Sequence, residues 1–231
     1  MAFYNKDEHV SQSERALCLV KNILEGAADL FLGSACPGCG LPGLGICHEC
    51  LANAFVQPVI NRNLLGDLSV SAACEYKEPV NRLILVHKNR SGFWLKKPLA
   101  RLVAEKLEID KSAILCPIPS DPAAVRRRGY DHTYSLAKEI SSITGCKALR
   151  LLERCRAAGD QIGRNKSSRS SAQKNTMRAR SGFNMPVLLF DDVVTTGATL
   201  REAKRALRDA KISCEQAVTI ASTGLRLPNF P

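Results

Sequence analysis

Aromatic side chains are scarce in this chain: seven Phe, four Tyr and the single Trp94 make up 5% of its 231 residues. Proteins that grip single-stranded nucleic acid usually stack bases on such rings, so platforms of that kind are sparse here and any nucleic-acid contact would run through charge. Long apolar runs are missing as well. The nearest candidate, Leu17 to Leu32, is interrupted by Lys21, Glu25 and Asp29, which excludes an ordinary membrane span. The first sixteen residues hold Lys6, Asp7, Glu8, Glu14 and Arg15 and no continuous apolar core of a secretory leader. The expected location is therefore the cytoplasm, without membrane insertion. No internal repeat is visible.

Acidic residues are the other shortage. There are 22 Asp and Glu against 33 Lys and Arg, a net charge of +11. The excess is concentrated between Lys147 and Gly182, where ten basic residues face only Glu153 and Asp160. Such a balance asks for an anionic partner. With 45% hydrophobic and 24% charged residues, the chain has the material for a real core and is not a disordered polymer.

Cysteine, by contrast, is plentiful, with ten in all. In a reducing compartment these are metal ligands, core residues or catalytic groups before they are a disulfide framework. Cys36, Cys39, Cys47 and Cys50 are spaced C-x2-C-x7-C-x2-C, among Gly38, Gly40, Gly43 and Gly45. Each C-x2-C brings two thiolates to one metal from a tight turn. Four thiolates suit a closed structural Zn²⁺ site, with an iron–sulfur cluster or a redox pair as alternatives. His48 is not needed as a ligand. Cys18, Cys74, Cys116, Cys146, Cys155 and Cys214 share no spacing and read as small core residues.

Hydrophobic periodicity predicts an amphipathic helix over 15–32, a short strand over 69–76, and helices from Pro79 and over 95–107. Apolar runs predict buried strands at 113–118, 187–190 and 217–222, with helices at 134–143 and 198–210 between them. Strand and helix in alternation imply a parallel sheet covered on both faces. The expected organisation is an N-terminal helical region (1–35), a four-cysteine module (36–60) and an α/β domain (61–231). The Ser- and Arg-rich stretch at about 155–182 is expected to be a flexible loop.

The most informative stretch is VLLFDDVVTTGAT, Val187 to Thr199. A buried strand carries Asp191 and Asp192, then Thr195, Thr196, Gly197, Ala198 and Thr199 turn into a helix. Ligands of open α/β sheets bind beyond the carboxyl ends of strands. The start of the following helix offers N–H groups and a positive dipole end to a phosphate, the threonines add hydroxyls, and Gly197 permits close approach. Two carboxylates can accept hydrogen bonds from a sugar diol or help hold Mg²⁺. Phosphate below and diol above describe a ribose 5-phosphate site. A solvated acidic turn with capping threonines is the bland alternative.

These thirteen residues resemble the signature of type I phosphoribosyltransferases, which bind 5-phosphoribosyl-1-diphosphate (PRPP) with Mg²⁺. The four cysteines, Lys88 after a short helix, Pro117 and Pro119 before Arg126, Arg128, Gly129 and Tyr130, and Arg154, Gln161 and Arg169 are similar to the ComF branch. The likeness runs from about Cys36 to Ser222. It implies a type I phosphoribosyltransferase fold preceded by a small zinc ribbon. It also implies that Asp191 and Asp192 contact the ribose hydroxyls and that Thr195 to Thr199 hold the 5-phosphate. Two departures stand out: Asp131-His132 replaces the Asn-Gln of many members, and Ala172 stands where many have Asn.

On that reading Arg126, Arg127, Arg128 and Gly129 meet the diphosphate, with Arg169 and Lys88 adding cations, although three consecutive arginines also suit a solvated turn. His132 is open to an acid–base or a structural role. Three functions follow: displacement of diphosphate from ribose C1 by an unknown acceptor, a DNA-uptake accessory contacting single-stranded DNA, or a PRPP sensor without turnover.

Overall fold

Ile114–Pro117 and Val187–Phe190 are apolar at every position and buried at every position, as strands flanked by other layers on both faces must be. The computed structural model describes residues 35–43, 45–64, 68–155, 176–183 and 185–224. The helix expected over 15–32 lies outside them. The described elements run α1 (His48–Val56), β1 (Ile60–Leu64), β2 (Leu68–Glu75), α2 (Val80–Lys88), a 3₁₀ turn (Arg90–Leu95), α3 (Lys96–Lys106), β3 (Ile114–Pro117), α4 (Pro122–Arg128), α5 (His132–Thr144), β4 (Lys147–Ala148), β5 (Leu152–Arg154), β6 (Met177–Ala179), β7 (Val187–Val194), α6 (Ala198–Asp209) and β8 (Gln216–Ser222).

The main sheet has the order β1-β2-β8-β7-β3-β4. Every neighbouring pair is parallel except the β1–β2 hairpin at one edge. Alternation along β7 sends Leu188 and Phe190 into a core with Leu83, Leu99, Leu102, Leu136 and Ile140 from α2, α3 and α5. It sends Val187 and Leu189 into a second core with Leu200, Ala203 and Leu207 of α6. This is the parallel sheet flanked by helices that the alternating pattern implies. Among the described residues, no helix is long and apolar enough to cross a membrane.

Three local features differ from the sequence reading. β7 does not stop at Phe190: it continues to Val194, because β8 goes on pairing with it through Asp191↔Thr219 and Val194↔Ser222. Its other neighbour, β3, ends at Pro117↔Phe190, so both aspartates emerge where one side of the strand becomes open. The arginine segment is not a loop but the helix α4. Asp121 caps it by accepting the Ala123 N–H at 2.7 Å, Pro122 opens it, and Gly129 closes it at φ 81°.

The third difference is at the basic stretch, whose ends are regular. β5 and β6 pair as an antiparallel ribbon, Leu152↔Ala179 to Arg154↔Met177. α6 holds this ribbon through one residue: Glu202 accepts the Met177 N–H at 3.1 Å, and Arg205 donates to the Met177 carbonyl at 2.8 Å. Residues 156–175, with Gln161, Arg169 and Ala172, lie outside the described residues.

Candidate functional site

Successive side chains of a strand point to opposite faces, so Asp191 and Asp192 look away from each other. Asp192 is buried and faces α2 and α5. Its Oδ2 accepts Lys88 Nζ at 2.7 Å and His132 Nε2 at 3.1 Å. Lys88 arrives from the last turn of α2, and His132 from the first residue of α5, whose start is fixed by Asp131 accepting the Tyr134 N–H at 3.2 Å. Arg128, at the end of α4, donates to His132 Nδ1 at 2.9 Å and to the Lys88 carbonyl at 3.2 Å. Four elements thus meet at one carboxylate. Burial opposes its charge, but the His132 hydrogen bond and the Lys88 ammonium outweigh it and hold the Asp192 carboxyl below the ordinary range.

Among the described residues Asp191 has no ion pair of this kind. Burial and the neighbouring Asp192 charge push its carboxyl up to about 8, against weaker pulls from the Asp192 N–H, Lys88 and Arg154. The two carboxyls are thus unequal: Asp192 is held towards the ionised form and Asp191 is pushed towards the protonated one.

The turn beyond β7 exposes Thr195 and Thr196, with Ala198 and Thr199 half-buried at the start of α6. Gly197 has φ 73°, and a Cβ there would stand 2.2 Å from Leu64 Cδ1 of β1. The left-handed backbone favours glycine, and any Cβ would also have to displace the Leu64 side chain. Gly197→Ala is expected to cost about 2 kcal/mol or more, read as a lower urea midpoint.

Lys88 and Arg128 therefore join the aspartates. Gly129 serves as the helix cap beside Arg128, and Arg126 lies exposed on α4. Arg169 falls outside the described residues. His132 is brought into direct contact with Asp192, a role sequence reading left undecided between acid–base and structural.

His87, one residue before Lys88, is 1% exposed, and its Nδ1 donates to the Gly92 carbonyl at 3.0 Å while Nε2 has no hydrogen-bond partner within 3.5 Å among the described residues. Burial lowers its pKa from 6.5, so the fold favours the neutral ring. Stability from this group is complete above pH 6.5 and drains as pH falls towards the lowered value. The drain has a limiting slope of about 1.4 kcal/mol per pH unit. His87→Gln is expected to flatten the urea midpoint between pH 6.5 and 5; an unchanged slope would contradict it.

Near the start of α2, where Gly38 packs on Pro79, the four cysteine Sγ atoms lie within 4.8 Å of one another. Cys39 and Cys47 Sγ are 3.8 Å apart, which matches the roughly 3.8 Å edge of a tetrahedron with ~2.3 Å metal–sulfur bonds. Cys47 N–H points to Cys36 Sγ at 3.3 Å and Cys50 N–H to Cys47 Sγ at 3.4 Å. Burial works against a Cys36 thiolate, but the N–H groups of Cys47, Cys39 and Gly38 prevail and lower it to about 6. Gly38 is needed for closeness, since a Cβ there would stand 2.7 Å from Cys50 Sγ. The set fits a tetrahedral metal ion such as zinc. Of the remaining cysteines, Cys74, Cys116, Cys146 and Cys214 are buried and Cys155 is half-buried, as core residues are, while Cys18 lies outside the described residues.

No family model matches the chain. It is similar to Competence protein F of Haemophilus influenzae, 31% identical over 147 residues, which is 58% of this chain and 63% of that protein. It is also similar to Competence protein ComFC of Streptococcus pneumoniae, 28% identical over 62% of this chain and 63% of that protein. The chain is thus similar to the ComF competence proteins over part of its length. The matches span a little under two thirds of those two ComF proteins. DNA utilization protein YhgH of Salmonella typhi is a third relative, 28% identical over 75% of this chain and 78% of its own length.

Among solved structures, glutamine PRPP amidotransferase of B. subtilis overlaps 58% of this chain and 26% of its own, at 20% identity and a TM-score of 0.38. Adenine phosphoribosyltransferase of Leishmania tarentolae overlaps 71% of this chain and 82% of its own, at 14% identity and a TM-score of 0.39. These overlaps are loose, and the fold rests on the strand order itself.

Proposed function

We propose that the chain is a cytoplasmic ComF-type phosphoribosyltransferase that binds PRPP with Mg²⁺ and displaces diphosphate from ribose C1 by an acceptor nucleophile. The observation that carries this reading is the acid pair at the open end of β7, one aspartate fixed as a carboxylate by Lys88 and His132, followed directly by the threonine turn of α6. Asp192 and Asp191 accept the ribose hydroxyls. Thr195, Thr196, Gly197, Ala198 and Thr199 offer N–H and hydroxyl donors to the 5-phosphate. Lys88, Arg126, Arg128, Gly129 and Arg169 supply cations and backbone to the diphosphate. Asp191 is the carboxylate that would face a Mg²⁺ ion arriving with the diphosphate, and the ion would supply charge neutralisation there.

A transition state with oxocarbenium character needs positioning and negative charge near C1 rather than a covalent enzyme nucleophile, and the acid pair provides both. The zinc knuckle is structural. Isothermal calorimetry with Mg²⁺–PRPP tests the site: saturable binding by the wild type, lost in the double variant Asp191→Asn/Asp192→Asn, is expected. Equal affinity in both would remove the assignment. Release of diphosphate on a panel of bases and amines separates turnover from a PRPP sensor.

A second reading, contact with single-stranded DNA, is favoured by the names of the relatives. The basic residues Arg164, Arg169, Arg178 and Arg180 would carry it by charge alone. Neutralising all four is expected to flatten the dependence of log affinity on log salt by about 0.7 per lost phosphate contact. An unchanged slope would place any DNA contact elsewhere.

A further inference from the structure

The proton arrangement around His132 can be read from its neighbours. A guanidinium only donates, so the 2.9 Å contact from Arg128 Nη1 makes His132 Nδ1 an acceptor. The remaining ring proton of the neutral imidazole then sits on Nε2, which faces Asp192 Oδ2 at 3.1 Å. Ser120 Oγ, 3.3 Å from Nδ1, has its own acceptor in Asp131 Oδ1 at 2.8 Å, so it does not compete for this arrangement. The ring is 7% exposed and is wedged beside His87, with ring centroids 6.5 Å apart. Its orientation is therefore set on three sides: by Arg128 of α4, by His87 of α2, and by its own place at the start of α5.

Asp192 also accepts Lys88 on the same oxygen, Oδ2. A lysine is a flexible point charge and fixes no plane for the carboxylate, whereas a tautomer-locked ring donor does. We infer that His132 is a positioning residue: through Nε2–H it fixes the orientation of the Asp192 carboxylate, with Arg128 setting the tautomer, so that Asp192 meets the sugar hydroxyls in one geometry. This rests on the ribose 5-phosphate reading of the site.

The titratable and charged groups around this carboxylate are Lys88 and His132, which touch it, His87 of α2 and Arg128 of α4 behind them, and Asp191 on the opposite face of its own strand. Of these, only His132 is a directional donor whose removal leaves the charges of the others in place.

The test uses the full chain and Mg²⁺–PRPP in calorimetry, with two variants at this position. His132→Gln carries an amide Nε2 that can reach Asp192, and His132→Phe keeps the ring volume without a donor. Thermal unfolding confirms that both are folded. The expected result is affinity within about threefold of wild type for His132→Gln and a loss of about tenfold or more for His132→Phe, the size of a hydrogen bond to a charged group. If both variants bind like the wild type, or both lose affinity alike while folded, the inference is overturned.

A ligand-independent readout accompanies it. Nitrogen-15 spectra of the imidazole are expected to show the proton on Nε2 in the wild type, with its signal displaced in Asp192→Asn. Should the wild type bind no Mg²⁺–PRPP, the ligand reading falls, and this spectrum alone decides the coupling of His132 to Asp192: a proton on Nδ1, or a signal indifferent to Asp192→Asn, overturns it.

Discussion

Asp191→Asn and Asp192→Asn are each expected to abolish Mg²⁺–PRPP binding while moving the stability of the ligand-free chain in opposite directions. Asp191 is pushed up to about 8 by burial and by its charged neighbour. An unfolded chain releases that proton near pH 4, but the folded chain keeps it until about pH 8, so the group subtracts stability progressively as pH rises between those values. An asparagine has no proton to lose, and the folded chain at pH 7.5 should gain about 1–2 kcal/mol, discounted for the solvent that still reaches a half-exposed carboxyl.

Asp192 has the reverse sign. Its lowered pKa means that it adds stability above the ordinary carboxylate range, and that this is lost as pH falls through the lowered value. Asp192→Asn leaves the Lys88 ammonium without its 2.7 Å partner. Breaking a fully buried pair costs about 3–5 kcal/mol; with Lys88 still a third exposed, about 2 kcal/mol is expected. Urea titrations at pH 7.5 and calorimetry on the same samples read both effects. Equal destabilisation by the two variants would show that the proton is not held on Asp191.

A site that becomes more stable when one of its acids is neutralised stores that instability for its ligand. The half-exposed carboxyl resists ionisation only while no cation faces it. A divalent ion brought by the diphosphate would release the Asp191 proton and turn an unfavourable charge into a bound one. Binding is then expected to expel up to one proton below about pH 8, seen as a dependence of the calorimetric heat on the ionisation enthalpy of the buffer. Heats indifferent to the buffer would contradict it.

The contiguous part of this site is legible in the chain. Strand, acid pair and threonine turn occupy Val187 to Thr199, so the elements and their side chains lie in one window. The apolar strands are legible for the same reason, since burial on both faces leaves no polar position to confuse the pattern. The supports of Asp192 are not legible, because they come from distant elements; His132 lies 60 positions from Asp192. Helix α4 has readable boundaries in Asp121-Pro122 and Gly129, but three arginines with no apolar stripe conceal it from periodicity. β1, with the sequence INRNL, is an edge strand whose Arg62 reaches Ser222 Oγ at 2.8 Å and the Thr223 carbonyl at 2.9 Å. Only the partner strand explains such a polar segment.

Chelating a metal ion held by the four cysteines is expected to have the largest local effect of all, and Trp94 should report it. The ring of the sole tryptophan lies against Gly45, where a Cβ would stand 3.7 Å from Cζ3. Four sulfurs at this separation, with Cys36 and Cys50 buried, repel one another as thiolates and are poorly solvated as thiols once the cation is gone. Structural zinc contributes about 10–16 kcal/mol to the folding of small knuckles, more than the few other contacts of such a module can replace. The far end of α1 is tied independently, since Lys106 Nζ donates to the Gln57 carbonyl at 2.5 Å and the Ala54 carbonyl at 3.5 Å. Chelation should therefore melt the knuckle without melting the sheet. One zinc ion released per chain, a red shift of Trp94 emission and a nearly constant urea midpoint for the main sheet are the expected results. Cys50→Ser should reproduce them and Cys155→Ser should not. Purified protein without bound metal, or Cys50→Ser with unshifted Trp94 emission, would reduce the knuckle to four neighbouring thiols.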